Sequence, residues 1–220
     1  MAKDAGGIVD GPAGAVARRL ETLWRMESPK LLARLGRITG NIDTAEELAQ
    51  DVLVTALECW PRDGVPDNPG AWLMQAAKHR GIDHVRQRQL HARKQDEYGI
   101  ELDLHGADMQ GDDAQRLADD DIGDDLLRLV FASCHPVLPM ESRVALALRL
   151  LGGLSTAEIA RAFLQPEPTI AQRIVRAKRA LAEKAVAFEV PRKAELPERV
   201  DAVLEVVSLV FQEGYAPTSN

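Results

Sequence analysis

The chain has 220 residues, of which 45% are hydrophobic and 4% aromatic, and its formal net charge is −7 at pH 7. This length allows one or two small hydrophobic cores. The abundance of Ala, Leu, Arg and Glu predicts an all-α protein. With two isolated cysteines, no apolar run near the roughly 20 residues of a membrane span and no signal peptide, we expect a cytoplasmic protein without disulfides, metal or cofactor.

The negative charge is concentrated in one segment. Residues 95–125 hold twelve acidic residues against Arg116 alone, whereas residues 70–94 carry six Lys or Arg against Asp83, and residues 128–184 carry nine against four acids. Two basic regions are therefore joined by an acidic connector that is rich in Gly and Asp and expected to be largely disordered in isolation. The connector is either a solvated spacer or a segment whose charge occupies a channel built for nucleic acid.

Two helical patterns open the chain. Residues 14–40 predict one helix or a pair of helices, with apolar positions at Val16, Leu20, Leu23, Trp24, Leu31, Leu32, Leu35 and Ile38. Gly40-Asn41 is typical of a helix C-terminal cap. The next helix is expected to begin at Asp43-Thr44, with Glu46 and Glu47 placed for a capping box. Its polar side, from Glu47 to Glu58, is either a solvated face or a docking surface for a basic partner.

The next region combines a loop with a basic helix. Residues 61–69 predict a loop with three prolines. A helix then begins at Gly70 or Ala71 and runs to about residue 90, with Leu73, Ala77, Gly81 and Val85 on one side. The density of cations on this helix favours phosphate contacts. Trp72 is either a core residue or a platform for stacking a base.

Residues 153–181 predict a helix-turn-helix. Ser155 and Glu158 form a capping box for the first helix, and Pro166 and Pro168 end it and allow a second helix to start. The second helix has an apolar face formed by Ile170, Ile174, Ala177 and Leu181. Its other side carries the residues Gln172, Val175, Arg176 and Arg179, flanked by Arg173 and Lys178. Such a helix fits a DNA major groove; the alternative is an amphipathic hairpin with a solvated basic face.

A last amphipathic helix is expected to open at Leu196-Pro197-Glu198-Arg199. Seven of its residues are predicted to be too apolar to stay exposed: Val200, Val203, Leu204, Val207, Leu209, Val210 and Phe211.

In this order, the segments resemble a bacterial RNA polymerase sigma factor of the extracytoplasmic-function class. The family's Ala-Glu-Asp-Leu-x-Gln-Glu helix appears here as AEELAQD, and its Ala-Trp-Leu helix ending in Asp-x-x-Arg appears as AWLMQAAKHRGIDHVR. The segment GLSTAEIA and the pattern T-I-x-x-R-x-x-R-A-K are similar to the helix-turn-helix in the second half of the family's proteins. The resemblance covers about residues 15–95 and 123–184.

The resemblance implies an all-α fold of two small helical domains joined by an acidic linker. Sigma domain 2 would span residues 12–95, the linker 96–122, sigma domain 4 residues 123–186 and a C-terminal extension 187–220. The extension, which looks like that of a subgroup regulated in cis, would pack on domain 4 or domain 2. The chain stops almost as this extension begins, so it is either a piece of a longer chain or has a single extra helix.

The resemblance also implies the partners and the site residues. Core RNA polymerase would be bound through its β′ clamp helices and β flap, with Glu46, Glu47, Gln50, Asp51 and Val54 on the β′ side. The −10 promoter element would be bound by Asp67, Asn68, Trp72, Lys78, His79, Arg80, Asp83, Arg86 and Arg88. The −35 element would be bound by Thr169, Gln172, Arg173, Arg176, Lys178 and Arg179. The linker would follow the polymerase's RNA-exit path, and an anti-sigma factor or the extension would regulate the protein.

Three positions depart from the family pattern. His79 stands where the family has Asn on the −10 helix, and Leu164 stands where the turn of the helix-turn-helix normally has Gly. The recognition helix begins with Pro168-Thr169-Ile170-Ala171-Gln172 where the family more commonly has Gly-Thr-Val-Lys-Ser, so the −35 preference of relatives does not transfer to it.

Two non-enzymatic alternatives use part of the same pattern. A stand-alone helix-turn-helix regulator explains residues 128–184 but gives the acidic helix no role. A helical adaptor without nucleic acid leaves the cations of the recognition helix unexplained. An enzyme is not expected, because the five histidines are scattered and no nucleophile, base and orienting group cluster together.

Overall fold

The computed structural model describes residues 12–97 and 122–215. The first lobe consists of α1 (Pro12–Thr39), α2 (Ile42–Asp63) and α3 (Pro69–Glu97). The second lobe consists of α4 (Ile122–Ser133), α5 (Met140–Leu150), α6 (Thr156–Ala162) and α7 (Glu167–Glu183), and α8 (Leu196–Tyr215) follows it. Within these two ranges every regular element is a helix, so the predicted all-α class is confirmed. Most of the acidic connector, residues 98–121, lies outside the described residues.

The first lobe is built on α1, which is one continuous helix through Pro29 rather than a pair. Leu31 and Leu35 are fully buried where α1 packs on α2 and α3. Gly81 permits the close approach of α3, since a Cβ there would lie 3.1 Å from Leu35 Cδ2. The predicted inward side of α3 is confirmed, because Leu73, Ala77, Gly81 and Val85 are all buried.

The boundaries of α2 and α3 differ from the prediction. The Asn41 side chain accepts a hydrogen bond from the Thr44 backbone at 3.0 Å, so α2 begins at Ile42 and Asn41 replaces the expected start at Asp43-Thr44. Helix α2 also passes through Pro61, which shortens the expected loop to residues 64–68. Asn68 caps α3 by accepting from the Ala71 backbone at 3.1 Å, and α3 runs beyond residue 90.

The second lobe contains the predicted helix-turn-helix. The Ser155–Glu158 capping box is present at the start of α6, and the four apolar residues expected inside α7 are all buried. Between these helices Leu164 takes the left-handed conformation with φ +50°. The Gln165 backbone donates to Ala160 O at 2.9 Å and Leu164 to Arg161 O at 3.3 Å, which is the Schellman pattern of helix termination.

The two lobes pack directly against each other, mainly through α1 and α4. Asp125 at the start of α4 is fully buried, and it forms ion pairs with Arg34 Nε at 2.8 Å and Arg37 Nη1 at 3.0 Å on α1. Arg128 adds a third cation, 2.9 Å from the same carboxylate. Asp125 is the last acid of the acidic run 95–125, but it lies within the predicted domain 4 (residues 123–186), and in the structure it is part of the second lobe, where α1 supplies its cations.

Helix α8 packs on the second lobe, which is one of the two placements expected from the sequence. Val206 is buried in a cluster with Cys134, Val144 and Ala147, and Arg199 Nη2 donates to Phe131 O at 2.7 Å.

The opposite face of α8 is apolar and open to solvent. Val200, Leu204, Val207 and Phe211 are 37%, 55%, 42% and 61% exposed. The expectation that these four would be buried is wrong, because α8 contacts the lobe along one face only. No helix among the described residues combines the length and apolar character needed to cross a membrane.

Candidate functional site

The polar face of α2 presents four of its five predicted binding residues to solvent. Glu47, Gln50, Asp51 and Val54 are exposed, with half of the Val54 surface accessible. Glu46 differs from them, since its side chain is only 13% exposed and points toward the second lobe. Its Oε2 lies 2.8 Å from Lys178 Nζ, and its Oε1 lies 3.6 Å from Arg149 Nε.

The predicted −10 surface lies along α3. His79, Asp83, Arg86 and Arg88 are exposed on this helix. Arg80 is held back toward α2, where its guanidinium donates to Thr55 Oγ1 at 2.7 Å and pairs with Asp51 Oδ2 at 3.3 Å. Arg80 thereby connects the −10 surface with the polar face of α2. Lys78 is half-buried on the same helix.

The loop before α3 brings two aromatic side chains together. Trp72 is half-buried and meets the buried Trp60 edge to face, with ring centroids 5.5 Å apart and planes at 70°. Trp72 therefore packs on the core of the first lobe. This agrees with the interpretation of Trp72 as a core residue rather than as a platform for stacking a base. Asp67 is exposed, while Asn68 uses its side chain to cap α3.

The outward side of α7 carries most of the predicted −35 residues. Thr169, Gln172, Arg176 and Arg179 are exposed there. Val175 lies among them with 59% of its surface accessible, which places an apolar side chain on the same face. Arg179 Nε pairs with Glu183 on α7 at 2.6 Å, and Arg173 Nη2 pairs with Glu141 of α5 at 3.3 Å.

Lys178 is the one predicted −35 cation that turns to the first lobe. Its ammonium lies 2.6 Å from Asp43 Oδ1 and 2.8 Å from Glu46 Oε2. Burial alone would lower the pKa of Lys178, but hydrogen bonds to the two carboxylates outweigh it and raise this pKa above its usual value. A residue predicted to bind DNA and one predicted to bind polymerase thus contact each other.

Cys134 and His135 are neighbours in the second lobe, with Cys134 buried and His135 half-buried. Burial raises the pKa of the Cys134 thiol. Burial, together with the nearby Arg199 and Arg143, lowers the pKa of His135 to about 4, and its Nδ1 accepts a hydrogen bond from the Val137 backbone. Among the described residues no group of three His, Cys, Asp or Glu is placed to hold a metal ion.

Sequence reasoning missed the residues that join the lobes. Arg34, Arg37 and Asp125 were not singled out, although two arginines three positions apart lie on the inward side of α1 beside Leu35 and Ile38. That placement was the available signal, because a cation on a core-facing position requires a buried acidic partner.

Comparison with known proteins gives two family matches in the same order as the two lobes. Residues 23–91 match sigma-70 region 2, and residues 128–181 match sigma-70 region 4. The first match covers part of α1, all of α2 and most of α3, and the second extends from within α4 through most of α7.

Three curated relatives are similar over most of this chain. An uncharacterised protein of Rhizobium meliloti is 41% identical over 86% of this chain, which corresponds to 44% of that relative, so the chain spans less than half its length. The ECF RNA polymerase sigma factor SigK of Mycobacterium ulcerans is 31% identical, over 69% of this chain and 75% of its own length. SigL of Mycobacterium tuberculosis, also an ECF RNA polymerase sigma factor, is 27% identical over 79% of this chain and 92% of its own. With both sigma regions present in order, the chain belongs to the ECF RNA polymerase sigma factors.

Proposed function

We propose that this protein binds core RNA polymerase and directs it to promoters, where it recognises a −35 and a −10 element and promotes opening of the DNA. The observation that carries the proposal is the presence of three exposed polar surfaces on two lobes: the polar face of α2, the cationic face of α3 and the outward face of α7. A stand-alone regulator would need only the last of these.

The polar face of α2 is suited to a basic protein surface. Glu47 and Asp51 supply negative charge, and the exposed Val54 adds an apolar contact at one end of the strip. Charge complementarity of this kind speeds association and fixes the orientation of a complex. We assign this face to the β′ clamp helices of polymerase.

The face of α3 is suited to a separated DNA strand. Opening a duplex costs about 1.4 kcal/mol of stacking per base-pair step. Cations such as Arg86 and Arg88 contact phosphates, and any group that binds only the separated strand shifts the equilibrium toward the open state. No bond in the DNA is broken, so the activity needs no catalytic residue.

The face of α7 is suited to duplex DNA. Gln172 and Arg176 are exposed on one side of a helix whose other side is buried, and amide and guanidinium groups are the usual partners of purine edges in the major groove. We assign Thr169 and Arg179, which are exposed on the same helix, to contacts with the flanking phosphates. We assign this face to the −35 element.

The test is run-off transcription with purified core polymerase on a library of promoter fragments, with variants that separate the two bound partners. Glu47→Lys is expected to abolish polymerase binding and transcription, while Arg176→Ala should retain polymerase binding but lose −35-dependent initiation. Glu21→Lys, the same charge change at an exposed position of α1, is the matched control and should initiate normally. DNA binding without any polymerase binding by the wild-type protein would instead establish the stand-alone regulator.

A further inference from the structure

Most of the predicted −10 residues are charged groups that hold a DNA strand without distinguishing its bases. Cations such as Arg86 and Arg88 pair with phosphates, and phosphate contacts fix the register of a complex but carry no sequence information. Amide side chains read base edges through pairs of hydrogen bonds, and the predicted set contains one amide, Asn68. Its side-chain oxygen accepts from the Ala71 backbone at 3.1 Å and is thereby used to cap α3. If this face distinguishes bases through an amide, another residue must supply it.

Gln75 provides an exposed amide on the same face, although the sequence analysis did not predict it as a site residue. It precedes His79 by about one helical turn and Arg86 by about three, so the three side chains lie along one stripe of α3. All three are exposed. The Gln75 Nε2 atom lies 2.9 Å from His79 Nε2, which is hydrogen-bond distance. The amide is therefore held by its neighbour on the stripe.

This hydrogen bond determines which atoms of the amide remain for a ligand. An amide nitrogen only donates, and a neutral imidazole accepts through Nε2 when its proton is on Nδ1. With one N–H donated to His79, Gln75 keeps a second N–H and its Oε1 acceptor side by side. A glutamine held in this way loses less rotamer freedom on binding than an unsupported one.

A neighbouring donor and acceptor match adenine better than the other bases. The N6 amino group of adenine donates to the amide oxygen, while N1 on one edge or N7 on the other accepts from the amide N–H. Cytosine offers this pattern on its Watson–Crick edge alone. Guanine and thymine present a carbonyl oxygen in place of the amino group, and this oxygen would face the amide oxygen. An unpaired base exposes both of its edges.

We propose that Gln75, positioned by His79, is a specificity-determining residue of the −10 surface and selects an adenine in the separated strand. Gln75 makes the two hydrogen bonds to the base. His79 acts through Gln75 by fixing the orientation of its amide, and the cations further along α3 hold the phosphates of the same strand. This inference rests on the proposed function and adds to it the identity of one base and the residue that reads it.

The test uses the complex of this protein with purified core polymerase, on a promoter library randomised across the −10 element. Each template carries a barcode in its transcribed region, so sequencing the transcripts gives the base preference at every randomised position. At one position we expect wild type to favour adenine at least about fivefold over guanine and thymine, the lower end of what a bidentate contact supplies.

Two substitutions of Gln75 should remove this preference. Gln75→Ala is expected to reduce it below about twofold, because both hydrogen bonds to the base are lost, and to leave the other positions unchanged. Gln75→Glu keeps the size and the acceptor but removes both N–H donors, so it should lose the preference as well. Gln87→Ala is the matched control: Gln87 is an exposed glutamine of the same helix, about a third of a turn around it from Gln75, and its preferences should equal those of wild type.

A double-mutant cycle tests the positioning role of His79. His79→Ala should weaken the adenine preference while Gln75 is present and have no further effect in the Gln75→Ala background, since its contribution passes through that amide. Alanine favours a helix and both positions are exposed, so these variants are expected to fold.

The results distinguish this inference from the proposed function. An unchanged adenine preference in Gln75→Ala overturns the assignment of Gln75, and so does an equal loss of transcription on every sequence, which a purely structural role would give. Additive effects of Gln75→Ala and His79→Ala overturn the positioning role of His79. If wild type gives no initiation with core polymerase, the proposed function fails, and this inference fails with it.

Discussion

Replacing Leu164 by glycine should stabilise the protein, because this leucine occupies a conformation that glycine adopts without strain. Leu164 is the left-handed residue that ends α6, with φ +50°, and its side chain is 91% exposed. An L-residue in this conformation costs about 1–2 kcal/mol. Glycine reduces this gain by about 0.5–1 kcal/mol, because it loses more conformational entropy than other residues when the chain folds. Little burial is lost, so we expect a net gain of about 0.5–1 kcal/mol.

Thermal unfolding followed by far-UV circular dichroism measures this gain. For a chain of this size about 1 kcal/mol corresponds to ~2–4 °C in Tm, so Leu164→Gly should raise Tm by about 1–4 °C. Leu164→Ala is the control: it removes the same exposed side chain but keeps a Cβ, and therefore keeps the strain. A gain with alanine equal to that with glycine would show that the exposed side chain, not the backbone, is responsible. No gain with glycine would refute the reasoning altogether.

Three further predictions concern the helix ends and the core. Ala185 ends α7 with φ +46°, so Ala185→Gly should also raise Tm in the same assay. Hydrogen bonds from Ser155 and Arg25 lower the pKa of Glu158 to about 2. Its stabilising contribution should be fully present above the usual glutamate pKa, decline as pH falls below that value, and be gone once pH has fallen through about 2; carboxyl NMR titration can follow this. Trp60 is 2% exposed, so Trp60→Ala should cost about 3–5 kcal/mol in urea unfolding.

The helices themselves could be located from the sequence because their signals are local. The capping box at Ser155 and the apolar residues spaced along α7 lie within one or two turns of each other, and the structure confirms both. The end of α2 was less predictable. The sequence predicts a loop from Pro61 onward, but α2 continues for two more residues after Pro61, and the Gly64 backbone closes the helix by donating to Trp60 O.

The contacts between the lobes could not be predicted in the same way. Lys178 and Glu46 are 132 positions apart, and each has a local explanation as part of a charged helix face. Asp125 stands in a run of acids, and nothing in the sequence of that run distinguishes it as the acid that pairs with α1. The sequence of α1 gave a better indication of the interlobe contact than the acidic segment did, because two of its arginines stand at inward positions.

The contact between the faces of α2 and α7 follows physically from the two partners that the protein is proposed to bind. A surface that docks on a basic polymerase element must be acidic, and a surface that contacts phosphates must be basic, so the two are complementary to each other. A connector of 24 residues holds them at an effective concentration in the millimolar range. Contact between these two oppositely charged faces is therefore favoured electrostatically. Glu46 and Lys178 are where the two faces meet, with 2.8 Å between Glu46 Oε2 and Lys178 Nζ.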